Sequence, residues 1–233
     1  MTTGKFIAFE GGGASGKDTQ IDLLKERLPS DRFVFTREPG GTNIGEQIRS
    51  TLLSSDSDNM CAETELLLLV SSRAQLLREV IKPNLEAGRN VISSRFGLST
   101  VAYQIYGRQQ ENRLPLLKKV NELALDGFQP DLYIFMDIPP EVGVERNRKR
   151  EREEYNRFNE KEEIDFHRRV RHGFRQAFSE YDHKLIDGTK KIEEIHSDIL
   201  QEIISLTGEK TLSQEQAASN SASLQDGCYA GFN

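Results

Sequence analysis

The chain has 233 residues, 36% of them hydrophobic and 29% charged, enough for one α/β domain with a sizeable core. A formal net charge of −6 argues against a primary nucleic-acid binder, which carries a strong basic excess. No stretch approaches the roughly 18 apolar residues of a membrane-spanning helix, and Cys61 and Cys228 form no C-x-x-C motif, so a reducing, cytoplasmic setting is the simplest reading.

The opening MTTGKFIAFE lacks the pattern of a secretory signal, because its apolar run is short and ends in Glu10. FIAF (6–9) suits a central parallel strand. A glycine loop follows, then TQIDLLKERL with helical spacing at Ile21, Leu23, Leu24 and Leu28. FVFT (33–36) reads as a second strand ending in the turn-rich REPGGTN, and residues 44–53 read as a helix. Residues 63–88 form one long helix, bent or ended near Pro83 and stopped by Gly88; its apolar block LLLLV (66–70) is a buried helical segment. NVISS (90–94), LYIFMDI (132–138) and KLIDG (184–188) supply three more strands. Helices fill about 98–106, 112–126, 140–151, 161–181 and 191–206. Strands alternating with helices imply a five-stranded parallel sheet covered on both faces. After Leu206 the chain turns rich in Ser, Gln, Ala and Asn, which predicts a polar, flexible tail over 207–233. His167, His172, His183 and His196 show no metal-site spacing.

GGGASGKDTQ (11–20) nearly matches the phosphate-binding pattern G-x-x-x-x-G-K followed by Ser or Thr. Gly11, Gly12, Gly13, Ala14, Ser15 and Gly16 offer backbone N–H groups to phosphate oxygens, and the next helix adds its positive end. Lys17 contributes a point charge. Asp18, however, stands where a magnesium-binding hydroxyl is expected, and Thr19 is one residue late to replace it. Asp18 reads either as damage that repels phosphate or as a hard oxygen ligand for Mg²⁺.

From residue 5 to 206 the chain resembles thymidylate kinase, an ATP-dependent nucleoside monophosphate kinase. FEGGGASGKDTQ, TREPGGT (36–42), IRSTLL (48–53), SSRAQLLREVIKP (71–83), SRFGLSTVAYQ (94–104) and DLYIFMDIPPEVGVERNRKRE (131–151) carry the likeness in order. The resemblance implies a three-layer P-loop NTPase fold with a mobile lid at about 146–158, and transfer of the γ-phosphoryl of ATP to dTMP with Mg²⁺. It also implies a homodimer. Arg95 and Arg37 would grip the acceptor phosphate, with Glu38 near magnesium or water and Pro39 in the same turn. Arg73 would bond the base edge, and Ser99, Thr100, Tyr103 and Gln104 would line the nucleoside pocket. The lid stretch RNRKREREEYNR (146–157) would supply one or two of Arg148, Arg150, Arg152 and Arg157 to the transferring phosphoryl, with Arg150 and Arg152 the catalytic candidates. A solvated helix of mixed charge is the plain alternative.

Four positions depart from the family pattern. Gly13 replaces an acid, Asp18 a hydroxyl, Ser94 a strand-end carboxylate, and Leu69 the aromatic ring that stacks on thymine. Asp18 and Ser94 together suggest an exchange, with one carboxylate and one hydroxyl still facing the metal from swapped positions. Leu69 and Gly13 leave room for a kinase of another pyrimidine monophosphate. All four departures together leave room for a catalytically weak nucleotide-binding protein.

Overall fold

A computed structural model of the chain describes residues 3–149 and 164–212. Five strands alternate with helices. They are β1 (Phe6–Gly11), β2 (Phe33–Arg37), β3 (Asn90–Ser94), β4 (Leu132–Asp137) and β5 (His183–Asp187). All pair in parallel, in the order β2-β3-β1-β4-β5. The α/β class, the five strands and their parallel pairing are those expected from the sequence.

Alternation along β1 divides the core. Phe6 and Ala8 face one side with Leu76, Phe96, Phe135 and Phe174. Ile7 and Phe9 face the other with Leu24, Ile134, Ile199 and Ile203. Both faces are therefore apolar, as a central parallel strand requires. The first side is covered by α3 (Ala62–Leu76), α4 (Lys82–Glu86), α5 (Gly97–Thr100), α6 (Leu114–Leu125) and α8 (Ile164–Phe178). The second is covered by α1 (Lys17–Arg27) and α9 (Ile192–Thr207). Helix α2 (Asn43–Leu53) packs on α3, and α7 (Pro140–Lys149) packs on α8.

The long helix runs through Pro83 rather than ending there, the second of the two outcomes expected near that residue. A π turn over Leu77–Ile81 hands over to α4, where Pro83 lies in the first turn. The π turn shifts the hydrogen bonding just before the ring, with the Lys82 N–H donating to the Leu77 carbonyl five residues back. A second π segment, Val101–Gly107, extends α5. The expected break after Leu206 also falls later. Helix α9 runs to Thr207, Arg32 binds Glu209 at 2.6 Å, and the Leu212 N–H donates to the Arg27 carbonyl at 2.9 Å. The remainder of the tail, 213–233, lies outside the described residues, as do Arg150, Arg152, Arg157 and most of the lid segment. Among the described residues no helix is long and apolar enough to cross a membrane.

Candidate active site

The loops after β1 and β3 meet at the carboxyl ends of the strands, where ligands of open α/β sheets bind. Phe9 pairs with Ser94 in the sheet, and the Arg95 N–H donates to the Phe9 carbonyl at 2.8 Å. A cleft of about 630 Å³ opens there.

The glycine loop turns through left-handed backbone at Ala14 (φ 53°) and Gly16 (φ 93°), and Gly16 caps the start of α1. Gly13, Ala14, Ser15, Gly16, Lys17, Asp18 and Thr19 line the cleft. Gly11 and Gly12 do not: their carbonyls serve the loop itself, accepting from Arg95 Nη1 at 3.1 Å and from the Ser15 N–H at 3.4 Å. Lys17 is 6% exposed. Burial and the nearby Arg95 guanidinium lower its ammonium to about 8, against the pull of Asp18 and Glu10. A cation held at that cost is stabilised by an arriving anion.

Asp18 and Ser94 stand together. The Ser94 hydroxyl donates to Asp18 Oδ1 at 2.9 Å, while Lys17 Nζ lies 3.5 Å from Oδ2. Burial raises the Asp18 carboxyl, but Lys17, the Ser94 hydroxyl and Arg95 outweigh it and hold the group below the usual range. This is a hard-oxygen donor pair suited to a small divalent cation.

Arg95 carries its guanidinium on a strained residue with φ 71°. Its Nη1 donates to Ser99 Oγ at 2.9 Å and its Nη2 to the Tyr103 hydroxyl at 3.2 Å. Behind it lies Glu10, which sequence reasoning treated only as the end of an apolar run. Glu10 is fully buried and accepts from the Phe96 and Ser99 N–H groups, at 3.0 and 3.1 Å, and from the Ser99 hydroxyl. Burial raises its carboxyl despite those donors and Arg95.

The turn after β2 builds the opposite wall. Gly41 (φ 79°) comes so close to Thr36 and Leu76 that a side chain there would meet them at 2.4 and 2.7 Å. Thr42 caps α2 by accepting from the Gly45 N–H. Arg37 lines the cleft with its Nη2 on both oxygens of Glu46, each at 3.0 Å. Pro39 also lines it, and its carbonyl accepts from Arg49 Nη1 at 3.0 Å. Arg49 is a cleft-lining cation given no role from the sequence, although the IRSTLL segment contains it.

Arg73 and Glu38 form a buried pair deep in the cleft. Arg73 Nε donates to Glu38 Oε2 at 2.8 Å, Nη1 to Asn121 at 2.7 Å and Nη2 to Thr100 at 2.7 Å. Burial pushes the Glu38 carboxyl up to about 7 in spite of Arg73. Its Oε1 has no partner among the described residues. Leu69, Ser99, Tyr103 and Gln104 complete this end. Asn147 and His167, at the ends of the helices that flank the lid segment, lie over Gly13; sequence reasoning gave them no role. A side chain at residue 13 would come within 3.4 Å of Asn147 Nδ2. Arg146 ties α7 to the loop, donating to the Ala14 carbonyl at 3.3 Å. Arg148, the one lid candidate within the described residues, is exposed.

The arrangement places cations at separate points of one cleft and a carboxylate–hydroxyl pair between them, which suits joining two anions around a metal ion. Residues 9–199 match the family model for thymidylate kinase. The chain is 43% identical over 203 residues to a thymidylate kinase of Halothermothrix orenii, covering 86% of this chain and 96% of the relative. It is 42% identical to that of Kosmotoga olearia, with 85% and 95% covered, and 44% identical to that of Carboxydothermus hydrogenoformans, with 84% and 95% covered.

Proposed function

The chain belongs to the thymidylate kinase family, and on that premise we propose how its cleft carries out ATP-dependent phosphorylation of dTMP to dTDP, a step toward dTTP. An oxygen of the dTMP phosphate attacks the γ-phosphorus of ATP in line, and the bond to the ADP oxygen breaks. Such a transfer asks for positioning and charge neutralisation more than covalent help from the protein.

The glycine loop and Lys17 hold the donor phosphates. Arg95, braced by Ser99 and Tyr103, grips the acceptor phosphate with Arg37 and Arg49. Arg73 and Gln104 meet the base, with Leu69 against its face. The Asp18 carboxylate and Ser94 hydroxyl would hold Mg²⁺, exchanged in position relative to the family pattern, and Glu38 keeps one oxygen for a water or cation. When bound, the ion neutralises charge on the donor phosphates. Arg150 and Arg152 are assigned to closing over the transferring group. A homodimer and a cytoplasmic setting belong to the same reading and rest on family resemblance.

The observation that carries the reading is the meeting of Lys17, Asp18, Ser94 and Arg95 in one cleft with the Arg73–Glu38 pair. A coupled assay of ADP release tests it, with Mg²⁺ and a panel of nucleoside monophosphates. Turnover with dTMP is expected. Turnover confined to another pyrimidine monophosphate, which Leu69 in the cleft wall would favour, assigns a different acceptor. ATP binding without turnover on any acceptor would leave a nucleotide-binding protein and end the proposal.

A further inference from the structure

We propose that Glu65 is a positioning residue for base specificity. It fixes which end of the Gln104 amide meets the acceptor base. The cleft thereby takes bases with a carbonyl beside a ring N–H and rejects those with an amino group beside a bare ring nitrogen. The inference rests on the proposed function, since it takes the wall between Arg73 and Gln104 as the base subsite.

A glutamine amide has a donor end and an acceptor end of nearly equal shape, so its neighbours decide the orientation. Gln104 lines the cleft, and its Nε2 donates to Glu65 Oε1 at 3.0 Å. A carboxylate only accepts. The second oxygen of Glu65 pairs with Arg108 Nη2 at 3.1 Å, and its side chain is 1% exposed. Flipping Gln104 would oppose two oxygens in a buried place and forfeit a hydrogen bond. The amide nitrogen is thus turned to Glu65, and the amide oxygen is the acceptor left for a ligand.

Arg73 has the opposite character. A guanidinium only donates, and its Nε, Nη1 and Nη2 each serve one protein acceptor, which leaves a second N–H on each Nη. The wall therefore shows an acceptor and donors side by side. Thymine and uracil match it, since N3–H donates and the neighbouring carbonyl accepts. Cytosine opposes it at both points, with a bare N3 and an amino group. Glu65 does not line the cleft, so this selection passes through Gln104.

The test measures kcat/KM for dTMP and dCMP in the full-length protein carrying Glu65→Gln. An amide at 65 accepts or donates, so Gln104 gains its second orientation. The dTMP:dCMP ratio is expected to fall about tenfold, chiefly through KM, which is the scale of one mispaired hydrogen bond. In a Gln104→Leu background the same change should move the ratio less than about twofold. Should Glu65→Gln not fold, Glu65→Met removes the acceptor without leaving a buried charge and carries the same expectation. An equal loss on both acceptors, or an undiminished effect in the Gln104→Leu background, overturns the proposal. Wild-type turnover of dTMP is the separate check on the reaction itself.

Discussion

The Ser94 hydroxyl and the Asp18 carboxylate are hydrogen-bonded at 2.9 Å across the gap between the end of β3 and the first turn of α1. One chain position carries a carboxylate where a hydroxyl is usual, and its partner carries the hydroxyl. If they act as a unit toward a cation, Asp18→Thr alone leaves two hydroxyls and no carboxylate. Activity should fall at least about tenfold, and Mn²⁺·ATP affinity, read by calorimetry, should fall with it. Asp18→Thr with Ser94→Asp should regain part of both. Full activity in the single variant would remove the pair from the metal site.

Glu10 bears on acceptor binding through Arg95. Because the Ser99 hydroxyl donates to Glu10, its lone pairs are left to accept from Arg95 Nη1. Glu10→Gln keeps the volume and sets an amide N–H against either Ser99 Oγ or two backbone N–H groups. The KM for dTMP should rise about tenfold. Affinity for thymidine, which has no phosphate for Arg95 to hold, should stay within about twofold. Parallel losses for both would reduce Glu10 to a fold-stabilising residue.

Asp137 gives a pH-dependent contribution to stability. It closes β4 and accepts from Arg171 at 2.6 and 2.8 Å and from Arg175 at 2.9 Å. Burial raises its carboxyl, but the two guanidiniums win and hold it below the ordinary aspartate value. The contribution is therefore complete above that ordinary value, about 3.9, and is lost as the pH falls through the lowered one. Asp137→Asn should cost about 1–3 kcal/mol near neutrality, less if the half-exposed Arg175 adds little. Denaturant melts should show the gap to wild type narrowing below about pH 4.

Leu69 offers a direct test of base stacking. It lines the cleft at the end held by Arg73 and Gln104. Leu69→Phe restores a ring there, and an aromatic contact is worth about 1 kcal/mol beyond its area. The KM for dTMP should drop up to about fivefold. An increase would mean that the larger ring crowds its neighbours more than it helps the base.

Much of this was legible in the chain. Apolar runs such as FIAF and LYIFMD give the strands, and spacing from Gly11 to Lys17 gives the loop. Positions 18 and 94 could be paired in advance only through the family resemblance, from whose pattern both depart in complementary ways. Glu10 could not, since its partners, Phe96 and Ser99, lie 86 and 89 residues further along. Nor could Glu65 and Asn121, each of which acts on a cleft residue from behind the wall. The π segments were missed because the extra residue in a turn leaves no periodic mark in a short stretch. Pro83 marked the irregularity in the long helix but not its form, since the local sequence does not state whether the helix ends or continues through a π turn.

The clasp between Leu212 and Arg27 has a practical use at the bench. It grips the far end of α1, whose 11 residues set it about 16 Å from the phosphate loop. A shortened chain should therefore keep Leu212, because cutting after Leu206 would remove both this bond and the Arg32–Glu209 ion pair.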